Sequence, residues 1–364
     1  MMVVSKQHQI FFDFLRFCIG SESEIPSSLK EADWKELYAI AKKQCLVGVL
    51  FDGIKKLPAE QVGMKMGLLF QWIAKNRMLE KANVRLNDAA IQVSEWFRKK
   101  GFRTCILKGQ GNALMYPNPY SRTPGDIDIW VEGGDKRVIS FVRSISPHEK
   151  ACYHHIEFPP YKGVEVEVHY RPSFLLCFWH NRKLQNFYER MKEEQFSHRV
   201  MLGKQGEIAI PTAEFNLIFQ LTHIYAHLMN EGIGLRQLVD YYYVLISDDL
   251  LLIRDRVQKE LKELGLWKFA GGIMYIMQEV FGMPASRLIV PPNEKCGKFV
   301  LNEVLEAGNF GKHDERNRFG RSKLGHNLQR VYRDIRLMRY FPAEALCEPI
   351  FRTWHFFWRL KHRR

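Results

Sequence analysis

The chain has 364 residues and a formal net charge of +14; 46% of its residues are hydrophobic and 26% are charged. These proportions are close to ordinary globular usage, so they argue against a largely disordered chain and predict a buried core. The length exceeds that of one typical compact domain, which predicts two domains or one catalytic core with helical additions.

The positive charge is concentrated at the C-terminal end. The last 53 residues contain fourteen Lys or Arg against five Asp or Glu, a net charge of +9. A basic tail favours partners such as nucleic acid, a nucleotide-linked substrate or an anionic membrane surface. Aromatic and basic residues here have the pattern of an amphipathic helix: Trp354, Phe356, Phe357, Trp358, Arg352, Arg359, Lys361, Arg363 and Arg364. This helix is expected to pack against the N-terminal helices, and attachment to an anionic membrane surface is the alternative. The charge excess alone could equally mark a solvated helical surface.

The cysteines and the apolar segments bear on location. Seven scattered cysteines without a Cys-x-x-Cys pair indicate neither a zinc site nor a disulfide framework. No apolar run approaches the length of a membrane span, and Met1–Lys6 leads into a mixed segment rather than a signal-peptide core. A cytoplasmic protein with reduced thiols is therefore expected.

Three regions are predicted along the chain: helices over 1–100, a small α/β core over 101–210, and helices with the basic tail over 211–364. In the first region, Ser27–Glu31 resembles a helix start, and a long proline-free helix should run from 65 to 100. It should end where Arg98, Lys99 and Lys100 precede Gly101, because basic residues in the last turn followed by glycine favour a helix end.

Short strand-like segments follow in the α/β core. Strands are predicted over 102–107, 126–131, 151–158 and 164–170, a helix over 136–145, a turn over 159–163 and a hairpin over 200–210. A capped helix should begin at Pro211–Glu214. Further helices are predicted over 235–247, 249–264, 266–281, 297–308, 322–340 and 343–361. The expected fold class is α+β, a small mixed sheet flanked by extensive helical segments.

Two of these strands carry alternating carboxylates. Asp126 and Asp128 should point to one face of their strand, because side chains in a strand alternate. Glu165, Glu167 and His169 should share one face of the later strand. If the two strands are neighbours, three carboxylates meet. Such a group suits two Mg²⁺ ions, which bind hard oxygen ligands and phosphates and support phosphoryl transfer.

The residues ahead of these carboxylates suit phosphate binding. Lys108 and Gly109 follow the first strand, and Arg122 lies in the loop before Asp126. Lys offers a flexible ammonium and Arg a planar fork for phosphate oxygens, although each could equally be a structural charge. Gly109-Gln110-Gly111 is neither a P-loop nor a dinucleotide fingerprint, because the required neighbours are missing.

Together, Leu107-Lys108-Gly109, Tyr116-Pro117, Arg122, Gly125–Asp128 and Glu167–His169 resemble the uncharacterised bacterial nucleotidyltransferases of the DNA polymerase β-like superfamily. Pro211–Glu214 with the later His223, His227, Arg236 and Asp240 is similar to the helical half of that family. The resemblance covers roughly residues 30–340. It implies a nucleotidyltransferase fold, with Asp126, Asp128 and Glu167 as catalytic residues that bind two Mg²⁺ ions.

The resemblance also implies that Lys108, Gly109 and Gln110 hold the triphosphate, ATP being the expected donor, with backbone N–H groups at a helix start. The superfamily usually has Ser or Gly where this chain has Gln110, and often Asp where it has Glu167. The alternative is therefore a catalytically silent nucleotide-binding or interaction protein that keeps the fold. A basic nucleic-acid binder would instead show strongly salt-dependent binding. The acceptor is not indicated.

The remaining candidates are accessory. His169 could orient Glu167, act as a base or close the hairpin. His223 and His227 share a helical face, and they are expected at a domain interface or at the nucleotide rather than in an HExxH zinc site. Arg236 and Asp240 also have i,i+4 spacing, most simply that of a salt bridge; the alternative is that the pair faces the cleft. His154 and His155 should point to opposite faces of a strand, so that at most one joins the site.

Overall fold

The computed structural model describes residues 4–58, 63–204, 206–247, 249–311, 314, 316 and 323–362. Two parts of the predictions from sequence lie outside these residues: Arg363 and Arg364 of the basic tail, and position 322 of the helix predicted over 322–340. Fourteen α-helices and six strands occur within them. None of these helices combines the length and the apolar character that crossing a membrane requires.

Four helices precede the sheet: α1 (Lys6–Ile19), α2 (Trp34–Lys43), α3 (Val47–Ile54) and α4 (Met66–Lys99). The predicted helix start at Ser27–Glu31 is a 3₁₀ turn, and α2 begins only at Trp34. The reason is Asp33, whose carboxylate accepts hydrogen bonds from the backbone N–H groups of Lys35 and Glu36. The long helix α4 ends in basic residues before Gly101, as predicted.

A mixed four-stranded sheet follows, in the order β1 (Thr104–Ile106), β2 (Ile127–Val131), β4 (Val164–His169) and β3 (His155–Tyr161). β2 pairs with β4 in parallel, whereas β1 and β3 are antiparallel edge strands. Short helices connect these strands: α5 (Gln110–Ala113) and α6 (Gly134–Ile145).

The predicted turn over 159–163 is too long. β3 continues through Pro159 and Pro160 to Tyr161, and only Lys162 and Gly163 form the turn. The prolines are tolerated because β3 is an edge strand, where a missing N–H leaves no central ladder bond broken. The pairing register shifts between Phe158 and Tyr161, where the prolines lie.

The rest of the chain is mainly helical. It contains α7 (Phe178–Ser197), the hairpin β5 (Arg199–Leu202) and β6 (Gly206–Ala209), α8 (Ala213–Asn230), α9 (Leu235–Leu245), α10 (Leu250–Glu263), α11 (Trp267–Glu279), α12 (Glu294–Ala307), α13 (Lys323–Met338) and α14 (Pro342–Lys361). Thr212 occupies the expected N-cap of α8, but its hydroxyl donates to Gln195 Oε1 at 3.2 Å instead of capping the helix.

Two hydrophobic clusters hold these elements together. The larger joins α1–α3 to α8–α12, so that Phe14 and Leu50 belong to the same core as Tyr241 and Phe281. The smaller packs α4 against the four-stranded sheet and the β5–β6 hairpin. The α+β class with a small mixed sheet is confirmed, and the sheet has helices from both ends of the chain around it.

Candidate functional site

Strand register brings the predicted carboxylates together. Asp128 on β2 is the direct neighbour of Glu167 on β4, and Asp126 lies just before β2. Carboxylate oxygens of Asp126, Asp128 and Glu167 lie within 4.8 Å of one another. Three oxygens this close fit the ligand set that Mg²⁺ prefers.

Asp128 is the most enclosed of the three, with only 2% of its surface exposed. Its Oδ1 accepts hydrogen bonds from Lys108 Nζ at 3.0 Å and from His169 Nε2 at 3.0 Å. Its Oδ2 is buried and has no hydrogen-bond partner in the described part of the chain. A buried carboxylate oxygen without a partner is costly, and a bound cation would remove that cost.

The three carboxyl groups differ in their pKa values. Repulsion from the Asp128 charge, with burial, raises the pKa of Asp126. Burial alone would raise the pKa of Asp128, but Lys108 and His169 outweigh it and lower that pKa. Burial also opposes the lowered pKa of Glu167, which results mainly from its hydrogen bond with His169. The site therefore holds negative charge that a cation can neutralise.

His169 is the hydrogen-bonding link between two of the carboxylates. Burial lowers its pKa, but hydrogen bonds to Asp128 and Glu167 outweigh burial and raise the pKa to about 9. Its Nε2 is 3.0 Å from Asp128 Oδ1 and 3.4 Å from Glu167 Oε2. In the metal-free protein the imidazolium thus stabilises both acids.

The pKa of His169 yields a prediction about stability. Because its folded pKa is raised, the protonated ring should stabilise the fold fully below about pH 6.5, and this contribution should be lost as the pH rises towards 9. Between these pH values the unfolding free energy of chelator-treated wild type should fall by roughly 3 kcal/mol more than that of His169→Gln. This figure follows from about 1.4 kcal/mol per pKa unit. Urea unfolding at several pH values measures this difference; parallel curves for the two proteins would refute it.

The glycine turn after β1 lies beside the carboxylates. Gly109 has φ +65°, a left-handed conformation that favours glycine, and it precedes the single turn α5. Gly109 and Lys108 line the same cavity surface as Asp126 and Asp128. Lys108 also donates to His223 Nε2 at 3.1 Å, so a phosphate would have to compete with its partners.

The side chain of Gln110 does not lie at this surface. It is buried, and its Nε2–H donates to Oδ1 of Asn87 on α4. If Gln110 holds a phosphate, it therefore does so through its backbone N–H and not through its side chain. The amide is accommodated by an asparagine of the long helix, which the local motif did not indicate.

Arg122, for which a phosphate contact is expected, has a protein partner in this structure. Its guanidinium is 3% exposed and forms a bidentate ion pair with Asp240: Nε–Oδ1 is 2.8 Å and Nη2–Oδ2 is 2.7 Å. The hydroxyl of Tyr116 donates to the same carboxylate at 2.6 Å. Two buried charges are cheapest when paired, so a phosphate would have to compete with Asp240 for Arg122, which also lines the cavity surface of Asp126 and Asp128.

Asp240 was expected to pair with Arg236, whose charge does help to lower the pKa of Asp240, but its bidentate partner is Arg122. Both carboxylate oxygens of Asp240 accept from Arg122, while Arg236 Nη1 donates to the Thr123 carbonyl at 3.1 Å. Both arginines thus fix the loop before β2. Asn83 of α4 contributes as well, donating to the carbonyls of Tyr120 and Arg122 at 2.9 Å each.

A cavity of about 650 Å³ opens beside the carboxylates. Among its lining residues are Lys108, Asp126, Asp128, His154, His155, Glu167, His169, His223 and His227. Both His154 and His155 line it, so the expectation that at most one would join the site is wrong. The cause is that β3 begins only at His155, so strand alternation does not apply to His154. Glu165 is exposed on β4.

Helix α14 contributes another wall of this cavity through Glu348, Phe351, Arg352 and His355. Packing against the N-terminal helices was expected, whereas Phe351 and Trp354 contact Tyr153 just before β3, and Phe351 also contacts Phe174 after β4. Phe351 stacks on Phe174 with ring centroids 5.3 Å apart. Nothing in the motif region indicated these residues, since they are about 180 positions away in sequence.

A small mixed sheet with three converging carboxylates beside a glycine turn defines a nucleotidyltransferase-like protein. The chain belongs to the family described as uncharacterised nucleotidyltransferase, whose sequence model matches residues 30–282. A similar solved structure is the crystal structure of an antigenic nucleotidyltransferase-like protein from Paracoccidioides brasiliensis. It shares 13% identity, the match covers 50% of this chain and 90% of that chain, and the TM-score is 0.28. The comparison with curated proteins gives no match.

Proposed function

We propose that this protein transfers a nucleoside monophosphate from a nucleoside triphosphate, with ATP the expected donor, to an acceptor bound in the cavity. The supporting observation is the convergence of Asp126, Asp128 and Glu167 within 4.8 Å, with Asp128 Oδ2 buried and without a partner among the described residues. We place two Mg²⁺ ions here, which would supply charge neutralisation and a more acidic acceptor hydroxyl.

Each carboxylate has a separate role in this proposal. Asp126 and Asp128 are adjacent and share one side of the site, so they would bind both ions. Glu167 is next to His155 and faces the larger cavity, and it would complete the ion near the acceptor. This division follows the cavity linings, because Asp126 and Asp128 also line the smaller cavity beside Lys108 and Gly109.

The triphosphate would lie against Lys108 and the backbone N–H groups after Gly109. Gly109→Val is expected to weaken triphosphate binding by about tenfold or more, because valine avoids positive φ and its Cβ would lie 3.6 Å from the Asp126 carbonyl oxygen. Calorimetric titration of Mg²⁺ and ATP measures the affinity. Gly101→Val, at another left-handed glycine with open space around it, is the matched control. Equal affinities in both variants would remove Gly109 from the nucleotide site.

We propose a small molecule as the acceptor. The cavity volume of about 650 Å³ falls within the roughly 300–1,000 Å³ of small-molecule pockets. Its far wall carries Arg330, Arg352 and His355, which suit an acceptor with anionic or hydrogen-bond-accepting groups. This wall lies on α13 and α14, beyond the family match that ends at residue 282.

The alternative is a catalytically silent nucleotide-binding or interaction protein, and the departure at Gln110 motivated it. The buried position of the Gln110 side chain weakens this motive, because the amide is directed towards Asn87 and not towards the carboxylates. Placement in the DNA polymerase β-like superfamily, a bacterial origin and a cytoplasmic location stay part of the proposal.

The test uses the four labelled nucleoside triphosphates with Mg²⁺, with and without a small-molecule fraction of cell extract. Transfer predicts pyrophosphate release and a labelled product that depends on both the metal and the extract. The RNA and protein fractions of the extract are tested in the same way. Mg²⁺-dependent nucleotide binding without a labelled product in any fraction would favour the catalytically silent nucleotide-binding protein. A labelled macromolecule would overturn the small-molecule acceptor.

For the basic C-terminal helix we propose contact with nucleic acid or an anionic membrane surface. Leu346, Ile350, Phe357 and Leu360 are exposed on one face of α14, and Arg359 and Lys361 near its end are exposed too. Apolar residues beside basic ones suit a membrane surface better than nucleic acid.

A further inference from the structure

A second group of possible metal ligands shares Glu167 with the three carboxylates. His155 on β3 is paired with His169 on β4, and Glu167 is two residues before His169. Glu167 Oε2 is 3.4 Å from His155 Nδ1 and 3.4 Å from His169 Nε2. Each of the three residues offers one ligand atom, and these atoms all lie within 4.8 Å of one another. His155 Nδ1 also lies 3.0 Å from His154 Nε2, so a metal at Nδ1 would replace that contact.

These separations match the geometry of a small tetrahedral ion. Ligand atoms bound to zinc at about 2.0–2.1 Å lie ~3.3–3.4 Å apart when the bond angles are tetrahedral. Two imidazole nitrogens and one carboxylate oxygen are a zinc-type ligand set, whereas Mg²⁺ prefers oxygen alone. The chemistry of this group therefore differs from that of Asp126 and Asp128.

The surroundings of the group also suit a metal. The Nδ1–H of His169 donates to the Arg171 carbonyl at 3.4 Å, which orients the ring and directs Nε2 towards Glu167. In metal-binding histidines the ring nitrogen that does not bind the metal usually donates such a hydrogen bond. All three residues line the 650 Å³ cavity, so a fourth coordination position can face a small molecule there.

We propose that His155, Glu167 and His169 form a transition-metal site, with Zn²⁺ as the expected ion and a fourth position open to the cavity. The metal replaces the proton on His169 Nε2 that is shared with Asp128 and Glu167, and this proton leaves to solvent. The proposal concerns metal binding by the protein alone and does not depend on nucleotidyl transfer.

The test begins with the full chain freed of metal by chelation. Zn²⁺ affinity is measured by competition with a chromophoric chelator, and Co²⁺ provides a visible spectrum of the site. We expect one equivalent of Co²⁺ with the intense d–d bands of a four-coordinate nitrogen and oxygen site. His155→Ala and His169→Ala should each weaken Zn²⁺ binding by at least about 100-fold, the upper range for loss of outer-shell partners. His355→Ala, another histidine of the same cavity, should leave it unchanged.

A neighbouring cluster provides the sharpest contrary outcome. Cys152, His154 and His155 also lie within 4.8 Å of one another, and they share His155 with the proposed site. If Cys152→Ser abolishes binding while His169→Ala retains it, or if Co²⁺ shows a thiolate charge-transfer band, the metal belongs to that cluster and the proposal fails. Failure to bind Zn²⁺ at micromolar concentration would also overturn it. Circular dichroism of each metal-free variant confirms that it is folded.

One more variant separates this inference from the proposed function. Asp126→Asn should lose Mg²⁺-dependent triphosphate binding and keep Zn²⁺ affinity, because Asp126 is not among the three ligands. Zn²⁺ binding that is lost together with triphosphate binding in Asp126→Asn would overturn the separate site. Absent triphosphate binding in wild type with intact Zn²⁺ binding would refute the proposed function alone.

Discussion

Asp128→Asn and Asp126→Asn are both expected to abolish Mg²⁺-dependent nucleotide binding and transfer, and yet to change the stability of the metal-free protein in opposite directions. Each substitution removes a ligand that two ions would share, so turnover should become undetectable in both variants. The difference in stability follows from what each carboxylate contacts when no metal is present.

The Asp128 carboxylate has partners of opposite charge, whereas the Asp126 carboxylate is repelled by Asp128. Lys108 Nζ and His169 Nε2 both lie 3.0 Å from Asp128 Oδ1, in a buried setting. Losing this charge leaves two buried cations without their nearest counter-charge, which should cost about 3 kcal/mol. The pKa of Asp126 is raised chiefly by the Asp128 charge. Removing the Asp126 charge should therefore stabilise the fold by ~1 kcal/mol or more, the repulsion of unit charges 4 Å apart in water.

From the sequence pattern alone, Asp128→Asn would seem harmless to stability, since the alternation shows only two carboxylates side by side. The ion pair with Lys108 reverses this expectation. Urea unfolding in the presence of chelator measures both variants against wild type at pH 7. Similar unfolding free energies for the two variants would contradict the charge arrangement, and turnover retained in Asp128→Asn would end the catalytic proposal.

The convergence of the carboxylates was predictable because it follows from local rules. Alternation places Asp126 and Asp128 on one face of their strand and Glu167 and His169 on one face of theirs, whichever fold contains them. The parallel pairing of β2 and β4 is not a local property, since about 40 residues separate the partners Asp128 and Glu167. The family resemblance implied that these two strands are neighbours in the sheet.

The errors concern side chains whose partners lie far away in sequence. Arg122 is close to Asp126 in the chain, so a ligand role was the natural expectation, but its partner Asp240 is 118 positions later. The i,i+4 spacing of Arg236 and Asp240 similarly favoured a local pair over this distant one. The cavity wall on α14 was also beyond reach, because an amphipathic helix shows which face is apolar and not which surface covers it.

The strand boundaries show a related limit. Pro159 and Pro160 favour a turn in any local interpretation, because proline cannot donate to a ladder. Whether a strand lies at the edge of a sheet depends on the order of all four strands, and here β3 is last in that order, with an isolated bridge from Ile156 to Ala151 on its outer side. The later start of β3, at His155 rather than 151, affects the cavity, because strand alternation then does not apply to His154 and both imidazoles line it.

Arg122→Ala is expected to be the most destabilising of the substitutions considered, by about 3–5 kcal/mol, because it leaves the buried Asp240 carboxylate without its bidentate partner. The Tyr116 hydroxyl and the charge of Arg236 remain near Asp240, but they do not replace the two hydrogen bonds from Arg122. In the fraction that remains folded, Mg²⁺-dependent ATP affinity should change by less than about threefold, since Arg122 is directed towards α9.

The double variant Arg122→Met with Asp240→Leu distinguishes an ion pair from a ligand-binding arginine. Replacing both members of a buried pair by apolar residues of similar volume is often neutral or stabilising, so the double variant should recover most of the stability lost in Arg122→Ala. Thermal unfolding and ATP titration are measured on wild type, Arg122→Ala and the double variant. If ATP affinity falls in both variants while stability is restored in the double one, Arg122 contacts the nucleotide after all, and its pairing with Asp240 must open on binding.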